Sequence, residues 1–277
     1  MIKLKIKLRR LKRLRNILIF LAVAAILLYI TFEPALNAAV GNSNIFYTGL
    51  FLLVLAVLTV VFVYESKYAG AEKFIVDAEG KINDAGYYLT AREEKAVDAY
   101  AQAVQQDLAD NGYKIKHNLL CDGLQFDFVG IKGGEFFYAV LTEQTDKNDV
   151  IAYTNAATTD LTNALLKRRG EAVVLLLCDT VTQEAVQLSK SVTELQTGRH
   201  QRLTVYPVIV SVSDGKVYFL GNRIGRAQKM TVNYVMNCEL PLKSAYIGTE
   251  KLSCQQELAE RLENFELKDY KNMSEER

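Results

Sequence analysis

The chain has 277 residues, half of them hydrophobic, and its net charge of +1 conceals a steep gradient. Residues 1–15 carry eight basic side chains and no acid, residues 16–65 carry two acids and no base, and the remainder holds 25 of the 33 basic and 30 of the 32 acidic residues, net −5. Duplex binding needs a basic face, so this remainder argues against tight, non-specific DNA binding; four dispersed cysteines without a CxxC pair, and two histidines, argue against a Cys/His metal cluster and read as buried thiols in a reducing compartment.

The opening MIKLKIKLRRLKRLR alternates aliphatic residues with Lys3, Lys5, Lys7, Arg9, Arg10, Lys12, Arg13 and Arg15. Leu8, Leu11 and Leu14 have helical spacing. Two readings coexist. One is an interfacial helix on anionic lipid headgroups, at about 1 kcal/mol per basic residue near the surface. The other is a topology signal that keeps this end in the cytoplasm. Residues 16–32 follow as a short apolar span, which snorkelling Lys and Arg can lengthen. A signal peptide is the rival for this segment. A second uncharged stretch at 45–64, IFYTGLFLLVLAVLTVVFVY, argues against it. At a rise of about 1.5 Å per residue those twenty residues match a hydrocarbon core of about 30 Å. Glu33-Pro34 is expected to end the first helix, and the loop 33–44, lacking Lys and Arg, to lie outside. Both termini and the folded domain then face the cytoplasm. Neither span holds an ionisable group, so the two helices read as anchors in the lipid bilayer rather than as a relay.

Residues 66–89 read as a juxtamembrane connector, whose FIVDAEGKI segment fits a hairpin or a helical turn. Thr90-x-x-Glu93 has the form of a capping box. Val97, Tyr100, Ala101, Val104 and Leu108 share a helical face, and Asn111-Gly112 gives the stop. Strands are expected at 113–120 and 124–131, with Lys132-Gly133-Gly134 turning into a third at 135–143. A helix over 149–169 ends at Gly170, with Lys167-Arg168-Arg169 at its negative end. Residues 171–180, EAVVLLLCDT, form the uninterrupted apolar run of a strand buried on both faces. Thr180-x-x-Gln183 caps a further helix to about residue 197. This order predicts a mixed sheet with helices on both faces. The tail, 201–277, is expected to add strands at 205–212 and 217–220 around Ser213-Asp214-Gly215-Lys216, another at 231–240, a helix over about 249–267, and a frayed end. The expected organisation is therefore a basic segment 1–15, a transmembrane hairpin 16–65, a connector 66–89, an α/β core 90–200 and an extension 201–277.

The helix AREEKAVDAYAQAVQQDLADNGYKI, then FDFVGIKGGEFFYAVLTEQ, then AVVLLLCDTVTQEA resembles the restriction-endonuclease-like fold, in particular Mrr-type domains, over residues about 90–197. The resemblance implies that two acidic groups and a Lys from the hairpin strands hold Mg²⁺ and activate the water that attacks a phosphodiester. Mg²⁺ prefers hard carboxylate oxygens, and a cation beside it stabilises the pentacovalent phosphate. Asp127 falls where the family has its first metal-binding Asp. The second acid and the Lys align with Val140 and Thr142. Slipping the register gives Glu143-Gln144-Thr145, again without the Lys, and Lys147 lies two residues beyond. Glu93 or Glu94, on the expected first helix, supplies a further carboxylate. The implied catalytic set is thus Asp127, Glu143 and Glu94, with Asp127 and Glu143 on the metal. Read plainly as residues, Asp127 is a solvent-facing strand position opposite both Phe126 and Phe128, and Glu143 a strand end. His117, His200 and the basic loop 221–225 with Arg226 and Lys229 read as surface features, the loop alternatively as a contact for phosphate or headgroups.

Three functions fit: a membrane-held, nuclease-like domain with a degenerate site that binds or senses; an active Mg²⁺-dependent DNA endonuclease of Mrr type tethered to the membrane; or an assembly protein that forms homo-oligomers or recruits a cytosolic partner. The missing Lys favours the first.

Overall fold

The computed structural model describes residues 2–40, 43–163, 169–198 and 201–275. The chain divides into two units, Met1–Glu79 with Leu258–Arg277, and Gly80–Glu257.

The first unit begins with two long helices, α1 (Ile2–Val40) and α2 (Ser43–Tyr64). Both are long and apolar enough to cross a membrane. Their apolar side chains point outward rather than into a protein core: Phe20, Phe51 and Phe62 are 71%, 66% and 72% exposed. Helix α1 does not stop at Glu33-Pro34; Pro34 lies inside it. A proline removes one backbone donor, a loss that membrane helices tolerate. The expected outer loop shrinks accordingly, and residues 41–42 are outside the described residues.

Helix α2 runs without a break through a π-helical turn, Glu65–Ala69, into α3 (Gly70–Asn83). The connector is therefore helical. Along it, Glu65, Glu72 and Glu79 recur every seven residues and meet basic residues of the antiparallel α1. Lys5 pairs with Glu79, Lys12 with Glu72 at 2.6 Å, and Arg15 with Glu65 at 2.6 Å. Arg15 also lies 4.4 Å from the centre of the Tyr64 ring. Leu4, Leu8, Ala71, Ile75 and Ala78 are buried beside these pairs, as heptad spacing of apolar and charged positions requires.

Among the described residues the second unit is an eight-stranded mixed sheet with helices on both faces. In chain order it has β1 (Tyr88–Leu89), α4 (Val97–Asp110), β2 (Lys114–Cys121), β3 (Leu124–Lys132), β4 (Glu135–Thr145), α5 (Lys147–Asn163), β5 (Gly170–Val181), α6 (Gln183–Ser189), β6 (Thr193–Gly198), β7 (Gln201–Ser211), β8 (Lys216–Tyr218) and α7 (Arg226–Met230), which runs on into a π-helical turn, Thr231–Val235. The strand order is β1-β8-β7-β5-β4-β3-β2, with β6 also on β7. Strands β4, β5 and β7 are parallel and the other pairs antiparallel. Residues 172–178 of β5 are all fully buried, each large side chain contributing about 1.5–3 kcal/mol. Helix α4 and residues 227–236 cover one face, α5 and α6 the other. Strand β7 lies directly on β5, so residues 201–218 complete the same sheet rather than extend it.

Several elements depart from the sequence expectation. Helix α4 starts at Val97, not Thr90. The Thr90 hydroxyl accepts the Arg92 N–H and donates to the Met236 carbonyl, and Ala91 N–H donates to Met236 O at 2.8 Å. The buried Arg92 donates to the carbonyls of Val235 and Tyr234 and pairs with Asp107. These long-range bonds hold residues 90–92 against 234–236 and outcompete the local cap. Helix α6 is capped by Thr182 and ends at Ser189, because Lys190 turns inward to meet Asp84. Residues 231–235 are helical, with Ala227, Met230, Thr231 and Val235 on one buried face. The last expected helix is two, α8 (Ser253–Glu263) and α9 (Leu267–Glu275); Phe74 packs at a tilt against Phe265 and Tyr270 within the first unit. Of the basic triplet only Arg169 is described; Lys167, Arg168 and likewise His200 lie outside the described residues.

Candidate functional site

The carboxyl ends of β4, β5 and β7 form one edge of the parallel sheet, the place where open α/β sheets hold ligands. The register sets Thr142, Cys178 and Ser211 in one row across this edge. Asp127 enters it from β3. The β3–β4 pairing ends at Phe128↔Ala139, and beyond it the Asp127 carboxylate accepts the Leu141 N–H at 2.8 Å. The side chain thus replaces a lost ladder bond.

The strand does not alternate regularly here. Phe126 packs edge-on against Tyr138 and Tyr153 on the α5 face, whereas Phe128 stacks with Phe137 on the α4 face. The two rings therefore do not share a face opposite Asp127, as strict alternation predicts. The β2–β3 register carries no pair between His117↔Phe128 and Leu119↔Phe126, and the intervening Asn118 has φ +50°. Asn118 and Asp127 thus face each other unpaired in an otherwise continuous register, and this gap coincides with the change of face.

Glu143 is exposed near the end of β4, two residues past Leu141. Glu94 is half-buried in the non-helical segment ahead of α4 rather than on a helix. Among the described residues no group of three or more His, Cys, Asp or Glu is arranged to hold a metal ion. Val140, at the aligned second acid, is buried. Thr142, at the aligned Lys, lies with its hydroxyl 2.9 Å from that of Thr145. Lys147 is exposed at the first turn of α5. The nearby acids Asp146 and Asp149 are occupied in capping that helix: Asp146 accepts the N–H groups of Asn148 and Asp149, and Asp149 accepts that of Asp146. Burial pushes the Cys178 thiol up, which makes it an inert core group. His117 is exposed on the edge strand β2.

Sequence reading missed a buried ion pair. Lys190 and Asp84 are 3% and 1% exposed and 2.8 Å apart. Lys190 also donates to the carbonyls of Ala85 and Phe219, while Asp84 accepts from Tyr88 Oη and the N–H groups of Gly221 and Asn222. Burial lowers the Lys190 pKa, with Asp84 pulling the other way. Every bonding direction is taken, so the pair holds the fold together and is not free for chemistry.

The chain thus combines a mixed α/β domain with two helices long and apolar enough to cross a membrane. No family model matches it, and no curated protein does. Among solved structures it is similar to a repair endonuclease from Pyrococcus abyssi, at 16% identity and a TM-score of 0.26. The similarity covers 35% of this chain and 42% of that one, less than half of either, and at that score it supports no conclusion about fold or activity.

Proposed function

We propose that this is a two-pass membrane protein displaying a restriction-endonuclease-like domain on the cytoplasmic side, where the domain binds or senses a ligand instead of cutting DNA. Its helix, three strands, helix and strand follow the order the resemblance implies. The observation that carries the reading is the pair of positions aligned with the missing catalytic groups: a buried Val140 and a Thr142 engaged with Thr145. Without a cation there, the charge developing on an attacked phosphate has no partner.

The second reading, a tethered Mg²⁺-dependent endonuclease, draws on Asp127 and Glu143 lying at the same end of the β3–β4 pair. Plasmid incubated with the purified full chain in detergent, with Mg²⁺ or Mn²⁺ over a range of salt, separates the two. The binding reading expects no nicking. Nicking that Asp127→Ala abolishes establishes the nuclease instead. The location is checked by attaching a reporter at either end in cells: both ends are expected in the cytoplasm, and an external C-terminal reporter overturns it.

A further inference from the structure

At the opposite, amino ends of the parallel strands lies a cleft of about 500 Å³, lined by Gly134, Arg169, Gly170, Glu171, Arg202, Thr204 and Arg226. Its volume is in the range of small-ligand sites. The register puts Glu135, Glu171 and Thr204 in one row across β4, β5 and β7, the far end of the sheet from Asp127. The floor is a close backbone approach. Gly134 O accepts the Glu171 N–H at 3.0 Å, and a Cβ at Gly170 would sit 1.8 Å from Gly134 O. The Arg226 guanidinium comes within 3.5 Å of where a Gly134 Cβ would be, so it reaches over this floor.

Three arginines and one carboxylate line the cleft, an excess of two positive charges. Among the described residues none of the three arginines has an ion-pair partner, and Glu171 is engaged by the Ala227 N–H at 2.7 Å. All three arginines are exposed beside the cleft, and an anion seated among them is attracted by each. Their planar forks match phosphate oxygens bidentately, and a phosphomonoester carries about −1.5 to −2 at neutral pH.

We propose that this cleft binds a terminal phosphate group, held by Arg169, Arg202 and Arg226. Such a group comes from a soluble phosphorylated molecule or from a lipid headgroup. Ile224, two residues before Arg226 and 94% exposed, is the side chain a headgroup source would use to enter lipid. The inference does not rest on the nuclease-like reading, since it uses none of the same residues.

The test is calorimetric titration of the full chain in detergent micelles. The probes are inorganic pyrophosphate, and dioctanoyl phosphatidic acid with dioctanoyl phosphatidylcholine as the control. Binding of pyrophosphate is expected, weakened at least about tenfold in Arg202→Glu/Arg226→Glu. Glu171→Gln keeps an acceptor for Ala227 but removes the opposing charge, so it should tighten binding severalfold, which a merely structural role would not do. Binding of phosphatidic acid but not of pyrophosphate or phosphatidylcholine, reduced by Ile224→Ser and by the double substitution, identifies the headgroup source. No binding of either phosphate probe, or binding unchanged by the double substitution in a chain with unaltered melting, overturns the site. Should the double variant fail to fold, absence of tightening in Glu171→Gln overturns it equally.

Discussion

Lys190 and Asp84 would be assigned to the surface from sequence alone, since charged residues are rarely buried without a partner far along the chain. Their pairing across more than a hundred residues is a product of the fold. Removing one partner strands the other charge in the core, so Lys190→Ala is expected to cost about 3–5 kcal/mol, read by chemical denaturation of the full chain in micelles. Gly170 makes a comparable demand on backbone. Its φ of +137° and the Gly134 carbonyl leave no room for a side chain, so Gly170→Ala should destabilise by at least about 2 kcal/mol. Gly112 also has positive φ, +80°, but nothing near it; there Ala costs only about 1 kcal/mol. Burial raises Tyr100 and Tyr218 from 10.0 to about 12, and Tyr88 and Tyr113 further. The native state then holds protons that the unfolded chain has lost, so stability should fall between pH 10 and 12, by up to about 1.4 kcal/mol per pH unit for each group. Phenolate absorbance rising together with loss of the sheet signal checks this; tyrosines titrating freely in the folded protein would refute it.

At the scale of elements, sequence reading succeeded where one local pattern met no rival. The α2 span, the Gly-Gly hairpin between β3 and β4, and the buried strand β5 all emerged within a residue or two of expectation. It failed where a distant partner competed. Thr90 had the chemistry of a helix cap, but Met236 and Arg92 claimed its hydroxyl. Residues 231–235 carry β-branched side chains typical of strands, yet their helical face fits the core beside α4. The heptad of glutamates on α2–α3 was readable in principle, since Glu65, Glu72 and Glu79 are evenly spaced; only the antiparallel return of α1 shows what it meets. The Lys12–Glu72 pair is partly exposed, so a double-mutant cycle on melting should give a coupling of less than about 1 kcal/mol that disappears in high salt.

For the whole molecule, the charge ladder divides the eight N-terminal basic residues into two groups. Lys5, Lys12 and Arg15 face glutamates, while Lys3, Lys7, Arg9, Arg10 and Arg13 are exposed. If anionic headgroups are what the segment contacts, changing the exposed five to Gln should lower co-purification with anionic lipid by native mass spectrometry. Changing the paired three should mainly loosen the hairpin. Equal lipid loss in both sets would count against this division.

What the sequence determined by itself is what depends on composition and short-range periodicity: two uncharged apolar stretches, a short one and one of bilayer length, behind a basic start, and an alternating order of helices and strands that closes into a mixed sheet. What only the tertiary structure decided is which charges are neutralised and which are left open. The glutamate ladder, the Asp84–Lys190 pair, the irregular strand at Asp127 and the arginine cleft each join residues distant in the chain. Coulomb and hydrogen-bond energies depend on separation in space, and no local pattern encodes that separation.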